Sequence, residues 1–596
     1  MRLLADIWGV LTPRQRRWVL AAQVLSVLMA FCTVTGIVSI APFFSVLGNP
    51  QLIDAPGPVH WLYARMHFAS HRSFVIALGL GFMALVLIAN AINIAGAFVM
   101  SRLAWWIGAD LQSVLFAAYL DRPYLFHART HSATLYNNVI HETARATNEI
   151  LQSVFTLITG LVTASFIVIC VLLLNPVVAV AMLAALAGGY LLIYVAVRQR
   201  LFRAGQQQSQ YFVLQTQIVN EALAAIREIL LTGVQAVFSA RFDRASRTLS
   251  RAVAHTQLIS QSPRHIMECV AVAGMVGVAL LLGGRADGVT PWLGQLTFMG
   301  FAAYRLLPTL QQVFVALVRI RGSRAGFARI VPDLRLARTA AAPPAVDGSW
   351  RQCPRRDICL NDVTFRYAEG RASAIDGVSL RIAARAVVGL IGANGSGKTT
   401  LVDLIAGLLV PASGQLEVDG VIIDDGNRGH WQRQIAYVPQ SIGLLDASIS
   451  DNIAFGVGPG EIDQERLLIA ARRARLDDFV RTLPAGYQHL VGERGVALSG
   501  GQRQRIGIAR ALYRDAAVLI LDEATNALDG LTEQELIETL GTLRGHCTIV
   551  LIAHRLSSLR TCDAIIELAA GRIIGSRSYA ELMRDPPGSQ RVAAVR

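Results

Sequence analysis

The chain has 596 residues, 53% of them hydrophobic and only 16% charged, with a mean hydropathy of +0.45. Soluble globular chains carry about 25% charged residues, so this balance excludes an ordinary soluble enzyme, and the length calls for two or more domains. The net charge of +14 is carried by arginine, with Lys398 the only lysine; that excess suits loops facing anionic headgroups, and no nucleic-acid partner is expected.

Six apolar runs, at about 18–47, 73–101, 148–174, 176–197, 265–284 and 291–318, approach or exceed the ~20 residues that cross a bilayer as a helix. The first is too long for a cleavable leader, so none is expected. Seven scattered cysteines without a CxxC spacing read as reduced and unliganded. Arg2, Arg14, Arg16 and Arg17 precede the first run, and arginines crowd 102–145, 198–264 and 319–329. The alternate loops hold only Arg65, Arg72 and Arg285. Both termini are therefore expected in the cytoplasm of a multi-pass membrane protein. The long inner segments lack Pro/Gly-rich tracts and read as helices that continue out of the bilayer. Asp121-Arg122-Pro123-Tyr124-Leu125-Phe126 and Ala225-Ile226-Arg227-Glu228-Ile229-Leu230 read as short amphipathic helices at their tips. In the first outer loop, Trp61, Arg65 and Phe68 are expected on one helical face at the membrane surface.

The expected layout is an all-α six-helix transmembrane domain over 1–330, a linker over 331–356 and an α/β domain over 357–596. In the last, short β-branched runs at 386–390, 434–438, 517–521 and 548–552 alternate with helical patterns, as in a largely parallel sheet.

Chemistry concentrates in that third part. Gly392-Ala393-Asn394-Gly395-Ser396-Gly397-Lys398-Thr399 follows a strand and opens a helix at Thr400. This is the context of a phosphate-cradling loop, with backbone N–H groups and a helix N-terminus converging on an anion. Lys398 supplies a point charge, and Thr399 a hydroxyl for Mg2+. The strand at 517–521 ends in Asp522 and Glu523; Asp522 suits the Mg2+ shell, and Glu523 suits polarising the attacking water. A second glycine-rich loop, Leu498-Ser499-Gly500-Gly501-Gln502, opens another helix. One nucleotide needs one cradle, so the second argues for two chains facing each other, each lending a loop to its partner's ATP.

These segments resemble the ATP-binding cassette (ABC) transporter family, in particular its half-size exporters, along essentially the whole chain. The resemblance implies ATP and Mg2+ as cofactors, a homodimer, and roles position by position. Tyr367 would stack on adenine, and Gln440 would touch Mg2+ and water. Ser499 and Gly501 would meet the γ-phosphate held by the other subunit, Gln502 would also bind the nucleotide, and His554 would act as the γ-phosphate switch. Asn526-Ala527-Leu528-Asp529 would form the D-loop. No residue of these motifs is degenerate, which implies ATPase-driven transport rather than a channel or regulator.

The transported molecule is less legible. Glu268 and Arg305 lie in apolar spans, where a charge faces a wet cavity or a partner; either they pair, or Arg305 meets an anionic headgroup at a substrate site that also holds Glu268 and Arg264. Three short segments, 36–44, 263–268 and 303–308, resemble bacterial lipid-linked oligosaccharide flippases, so a polyprenyl-pyrophosphate glycan is the expected substrate. Another amphiphile (lipid A type lipid, drug or peptide) is the alternative.

Overall fold

The computed structural model describes residues 2–39, 43, 46, 53, 58–66, 68, 70–174, 176–283, 290–339, 354–367, 372–458, 460–524, 530–553 and 555–584. It divides into two units: Met1–Arg122 with His127–Ala342, and Pro123–Phe126 with Pro343–Arg596.

The first unit is helical. A short α1 (Arg2–Val10) precedes α2 (Pro13–Val38), and α3 (Pro58–Met66) lies in the first outer loop. Then come α4 (His71–Leu120), α5 (Gln152–Leu174), α6 (Pro176–Ala224), α7 (Gln235–Gly283) and α8 (Thr290–Thr339). A 50-residue helix spans about 75 Å, more than twice the ~30 Å of hydrocarbon. Such helices continue well beyond the apolar runs that start them, as expected. Apolar stretches long enough to cross a membrane lie in Pro13–Gly36, His71–Leu120 and Ser132–Leu172, with mean hydropathies of 1.9, 2.5 and 2.5. Val34, Ile167, Leu186, Tyr190, Met267, Leu306 and Phe314 interlock in one buried cluster. The backbones of α6 and α8 approach so closely that Gly205 has no room for a Cβ beside the Gly322 carbonyl, the usual reason for small residues at membrane helix contacts.

Two expectations change, at the linker and in the outer loop. The helix that carries the third span begins well ahead of the apolar run at 148, as helices continuing out of the bilayer imply: Ser132–Tyr136 leads through widened π-helical turns at Asn137–Glu142 and Ala146–Leu151 into α5. Those turns bury Asn137, Asn138, Glu142, Thr143 and Thr147, and Glu142 is met by Arg145, Ser209 and Arg329. The linker does not start at 331. The helix α8 carries Pro332 inside it and runs to Thr339, because Leu334, Arg335, Leu336, Ala337 and Arg338 are good helix formers. In the outer loop α3 ends at Met66, so Phe68 lies beyond it and packs on Phe74 at 5.3 Å. Trp61 and Arg65 stay exposed without it.

In the second unit the strands are β1 (Asp357–Phe365), β2 (Ile375–Ala383), β3 (Val387–Ile391), β4 (Ser413–Val418), β5 (Val421–Ile422), β6 (Ile435–Val438), β7 (Val518–Asp522), β8 (Thr548–Ile552), β9 (Ala564–Ala569) and β10 (Arg572–Arg577). Its helices include α9 (Lys398–Ile405), α10 (Gly500–Arg514) and α11 (Gly530–Leu543). The main sheet runs β10-β9-β3-β8-β7-β6, parallel throughout except for β10. Every residue of β3, β7 and β8 is buried, as continuous apolar strands require when both faces are covered. Val387, Leu519, Leu521 and Leu551 face one core, and Val388, Leu390, Ile520 and Val550 face the other. A second sheet, β2-β1-β4-β5, is antiparallel. The expected strands are four of the main sheet's six; the second sheet was not foreseen. Because β3, β6 and β7 are parallel, Gly392, Gln440 and Glu523, which follow them in the chain, all leave the sheet at its carboxyl edge, where such sheets bind ligands.

Candidate nucleotide site

The phosphate loop bends where its glycines permit it. Gly395 and Gly397 adopt φ of 78° and 105°, and a Cβ at Gly392 would strike the Leu568 carbonyl and the Ser396 hydroxyl. Lys398 is only 7% exposed, and its Nζ donates to the carbonyls of Gly392 (2.9 Å) and Ala393 (3.1 Å). Burial pulls the Lys398 ammonium down from its ordinary pKa, and the charges of Glu523 and Asp522 pull back. The hydroxyl of Ser396 is fully buried and has no hydrogen-bond partner among the described residues. A donor left so costs about 1–3 kcal/mol, and a phosphate oxygen would satisfy it. Asn394, Gly395 and Thr399 are exposed.

Across from this loop stand the acidic pair. Asp522 is 8% exposed and accepts a 2.8 Å hydrogen bond from the Tyr437 hydroxyl. Glu523 sits one residue past β7 with φ of 51°, a left-handed geometry that costs of order 1–3 kcal/mol in a non-glycine residue and marks functional turns. Its Oε2 accepts 2.6 Å from Gln440 Nε2. Thus the structure joins Gln440 to Glu523 and sets Lys398 within the electrostatic influence of the acidic pair. The oxygen donors of Thr399, Gln440 and Asp522 match the hard-cation chemistry of Mg2+.

Other expected residues fall differently. Tyr367 is 37% exposed, its ring edge against Phe365 at 5.0 Å and its hydroxyl 3.0 Å from that of Thr400. Thr400 is therefore buried against Tyr367. Ser499 and Gln502 close a reciprocal cap on α10: Ser499 Oγ accepts from Gln502 N at 3.2 Å, and Gln502 Oε1 accepts from Ser499 N at 2.8 Å. Among the described residues no hydrogen bond links Ser499, Gly501 or Gln502 to the phosphate loop. The side chain of His554 and all of Asn526–Asp529 lie outside the described residues.

Sequence reasoning missed two groups here. Tyr437 passed as strand filler within an apolar run. Asp403, on the buried face of α9 and 5% exposed, is pushed up to about 6 by burial and by the Asp522 charge. Its place in an amphipathic helix carries no signal of that.

In the first unit, Glu268 pairs with Arg264 at 2.9 Å and His265 at 3.5 Å on its own helix, all three side chains exposed. One turn of α7 thus supplies partners for Glu268 from its own helix. The Arg305 side chain lies outside the described residues.

A phosphate-loop ATPase unit in one chain with a bundle of membrane-length helices defines an ATP-driven membrane transporter. Residues 19–301 match the family described as ABC transporter transmembrane region, and residues 375–526 match that described as ABC transporter. The chain belongs to the ABC transporter family. It is 31% identical over 519 residues to the ATP-dependent lipid A-core flippase of Cupriavidus metallidurans, covering 83% of each chain. To the protein of the same name from Methylococcus capsulatus it is 32% identical over 483 residues, covering 80% of this chain and 78% of the other. Its fold matches a bacterial Atm1-family ABC exporter with ATP bound, at TM-score 0.79 and 23% identity, over 97% of this chain and 98% of that one. It is a half-size ABC exporter that binds ATP and couples its hydrolysis to transport.

Proposed function

We propose that this exporter flips an amphiphilic lipid with a phosphorylated headgroup, of the lipid A type, across the bacterial inner membrane. The reading is carried by the likeness to lipid A-core flippases, which extends over about four-fifths of both chains. The segments that pointed to a lipid-linked oligosaccharide are at most nine residues each, too short to outweigh it. The working unit is a homodimer with cytoplasmic termini. Two ATP molecules lie between the cassettes, and the tips at 121–126 and 225–230 carry the motion to the helices.

In each site the 392–399 loop cradles the phosphates, Lys398 neutralises them, and Tyr367 stacks on adenine. Thr399, Gln440 and Asp522 would hold Mg2+, which supplies charge stabilisation on the phosphates when bound. Glu523, oriented by Gln440, polarises the attacking water, and His554 contacts the γ-phosphate. Ser499, Gly501 and Gln502 come from the other copy. Arg264, freed from Glu268, and Arg305 would receive the headgroup phosphate.

The test is ATP-dependent movement of labelled lipid A in liposomes, run beside a labelled polyprenyl-pyrophosphate oligosaccharide, with Glu523→Gln as control. Lipid A moved by the wild type alone supports the reading. Movement of the oligosaccharide instead returns the substrate to the first expectation, and ATP hydrolysis with neither moved rejects both lipids.

A further inference from the structure

Glu533 lies in the first turn of α11 and is only 5% exposed. A carboxylate withdrawn from water needs donors to offset its lost hydration. Three arrive from a single short segment. The hydroxyls of Ser557 (2.7 Å) and Ser558 (2.8 Å) donate to Oε1, and the Arg555 guanidinium donates to Oε2. Burial pushes the Glu533 carboxyl up, but the hydrogen bonds from Ser557, Arg555 and Ser558 outweigh it and hold the group below its ordinary range. The far side of the same turn, Leu556–Leu559, is pinned by the fully buried Leu559.

The position of this cluster in the chain matters. Arg555 directly follows His554, and α11 starts at Gly530, directly after Asn526–Asp529. Glu533 therefore fastens the segment leaving one to the helix leaving the other. Both serines and the arginine of the turn donate to this one buried acid of α11. We propose that Glu533 is a positioning residue for ATP hydrolysis, fixing the turn after His554 so that this histidine is held for the γ-phosphate. The proposal rests on the assignment of His554 made above. Glu533 exerts its role through the 555–558 turn that it holds. A displacement of about 1 Å in a catalytic group can cost up to 100-fold in rate, so one lost fastening can register in kcat while ATP still binds.

The experiment uses full-length protein in nanodiscs. It measures kcat, KM for ATP and thermal midpoint for Glu533→Gln, His554→Ala, the double variant and Ser557→Ala. Gln keeps the size and one acceptor oxygen but removes the charge that holds Arg555. The expected result for Glu533→Gln is a roughly tenfold lower kcat, with KM changed less than about twofold. In the His554→Ala background the same change should lower the residual kcat less than about twofold, because residues acting as one unit are not additive. Ser557→Ala, at an exposed serine, should lower kcat about threefold with an unchanged midpoint. Equal losses in both backgrounds, an unchanged kcat in the folded variants, or a loss that only tracks the midpoint would overturn the proposal. Wild-type kcat in His554→Ala alone would overturn the histidine assignment first, and that outcome is visible without Glu533.

Discussion

The cassette has two glycine-rich loops at helix N-termini, and they are built in opposite ways. The 392–399 loop folds inward: Lys398 is buried under its own loop carbonyls, and the Ser396 hydroxyl is sealed from solvent. The 498–502 loop faces outward: Ser499 is exposed, and its hydroxyl and Gln502 satisfy each other in a cap. Both have the positive end of a helix dipole. Only the first is surrounded by groups from other strands, namely Asp522, Glu523 and Gln440. A helix end can attract an anion, but chemistry needs convergent side chains, and among the described residues no hydrogen bond brings them to the second loop.

The strongest way to break this contrast is at the convergent side. Glu523→Gln should lower ATP turnover by roughly 100-fold or more, with nucleotide still bound; phosphate release and binding of a fluorescent ATP analogue check both halves. Next comes mixing. Lys398→Ala and Ser499→Ala should each be inactive as pure dimers. Co-reconstituted in equal amounts, they should recover about a quarter of wild-type turnover, because half the dimers are mixed and each of those rebuilds one of two sites. No recovery would mean that the outward loop serves its own chain.

Smaller effects sharpen the comparison. Tyr437→Phe removes the hydrogen bond to Asp522 and should cost a few-fold in kcat/KM, in line with the ~1 kcal/mol of a typical hydrogen bond. Asp403→Asn tests how dry the inward site is. Its folded pKa of about 6 lies above the unfolded value of 3.8. The folded state therefore binds the extra proton, and that stabilisation is complete at low pH and lost as pH rises through about 6. The uncharged Asn variant should melt a few degrees above wild type at pH 8, with the difference vanishing near pH 4; scanning fluorimetry at both pH values reads it.

Much was legible in the sequence for a physical reason. Apolar length fixes a membrane helix, because lipid satisfies no backbone group, so the helices were visible in the runs that became α2 and α4–α8. Parallel strands buried on both faces are continuous apolar runs, so β3, β6, β7 and β8 stood out. Phosphate cradles need glycine at fixed spacing, and an acid at a strand end is conspicuous, so Lys398, Asp522 and Glu523 could be placed on the page. The antiparallel sheet of β1, β2, β4 and β5 alternates and is only half buried, and its signal faded among the turns around it.

What the tertiary structure decided were pairings between residues distant in the chain, or choices among near neighbours. Glu533 reads as one more acid on an amphipathic helix until Arg555, Ser557 and Ser558 close on it. Tyr437 reads as strand until Asp522 arrives 85 residues later. Glu268 lies one turn from Arg264, and the helix brings the two side chains together. Local pattern and composition determined which elements form and where phosphate chemistry sits. Burial and long-range contact, which no single stretch encodes, decided which polar groups hold one another in place.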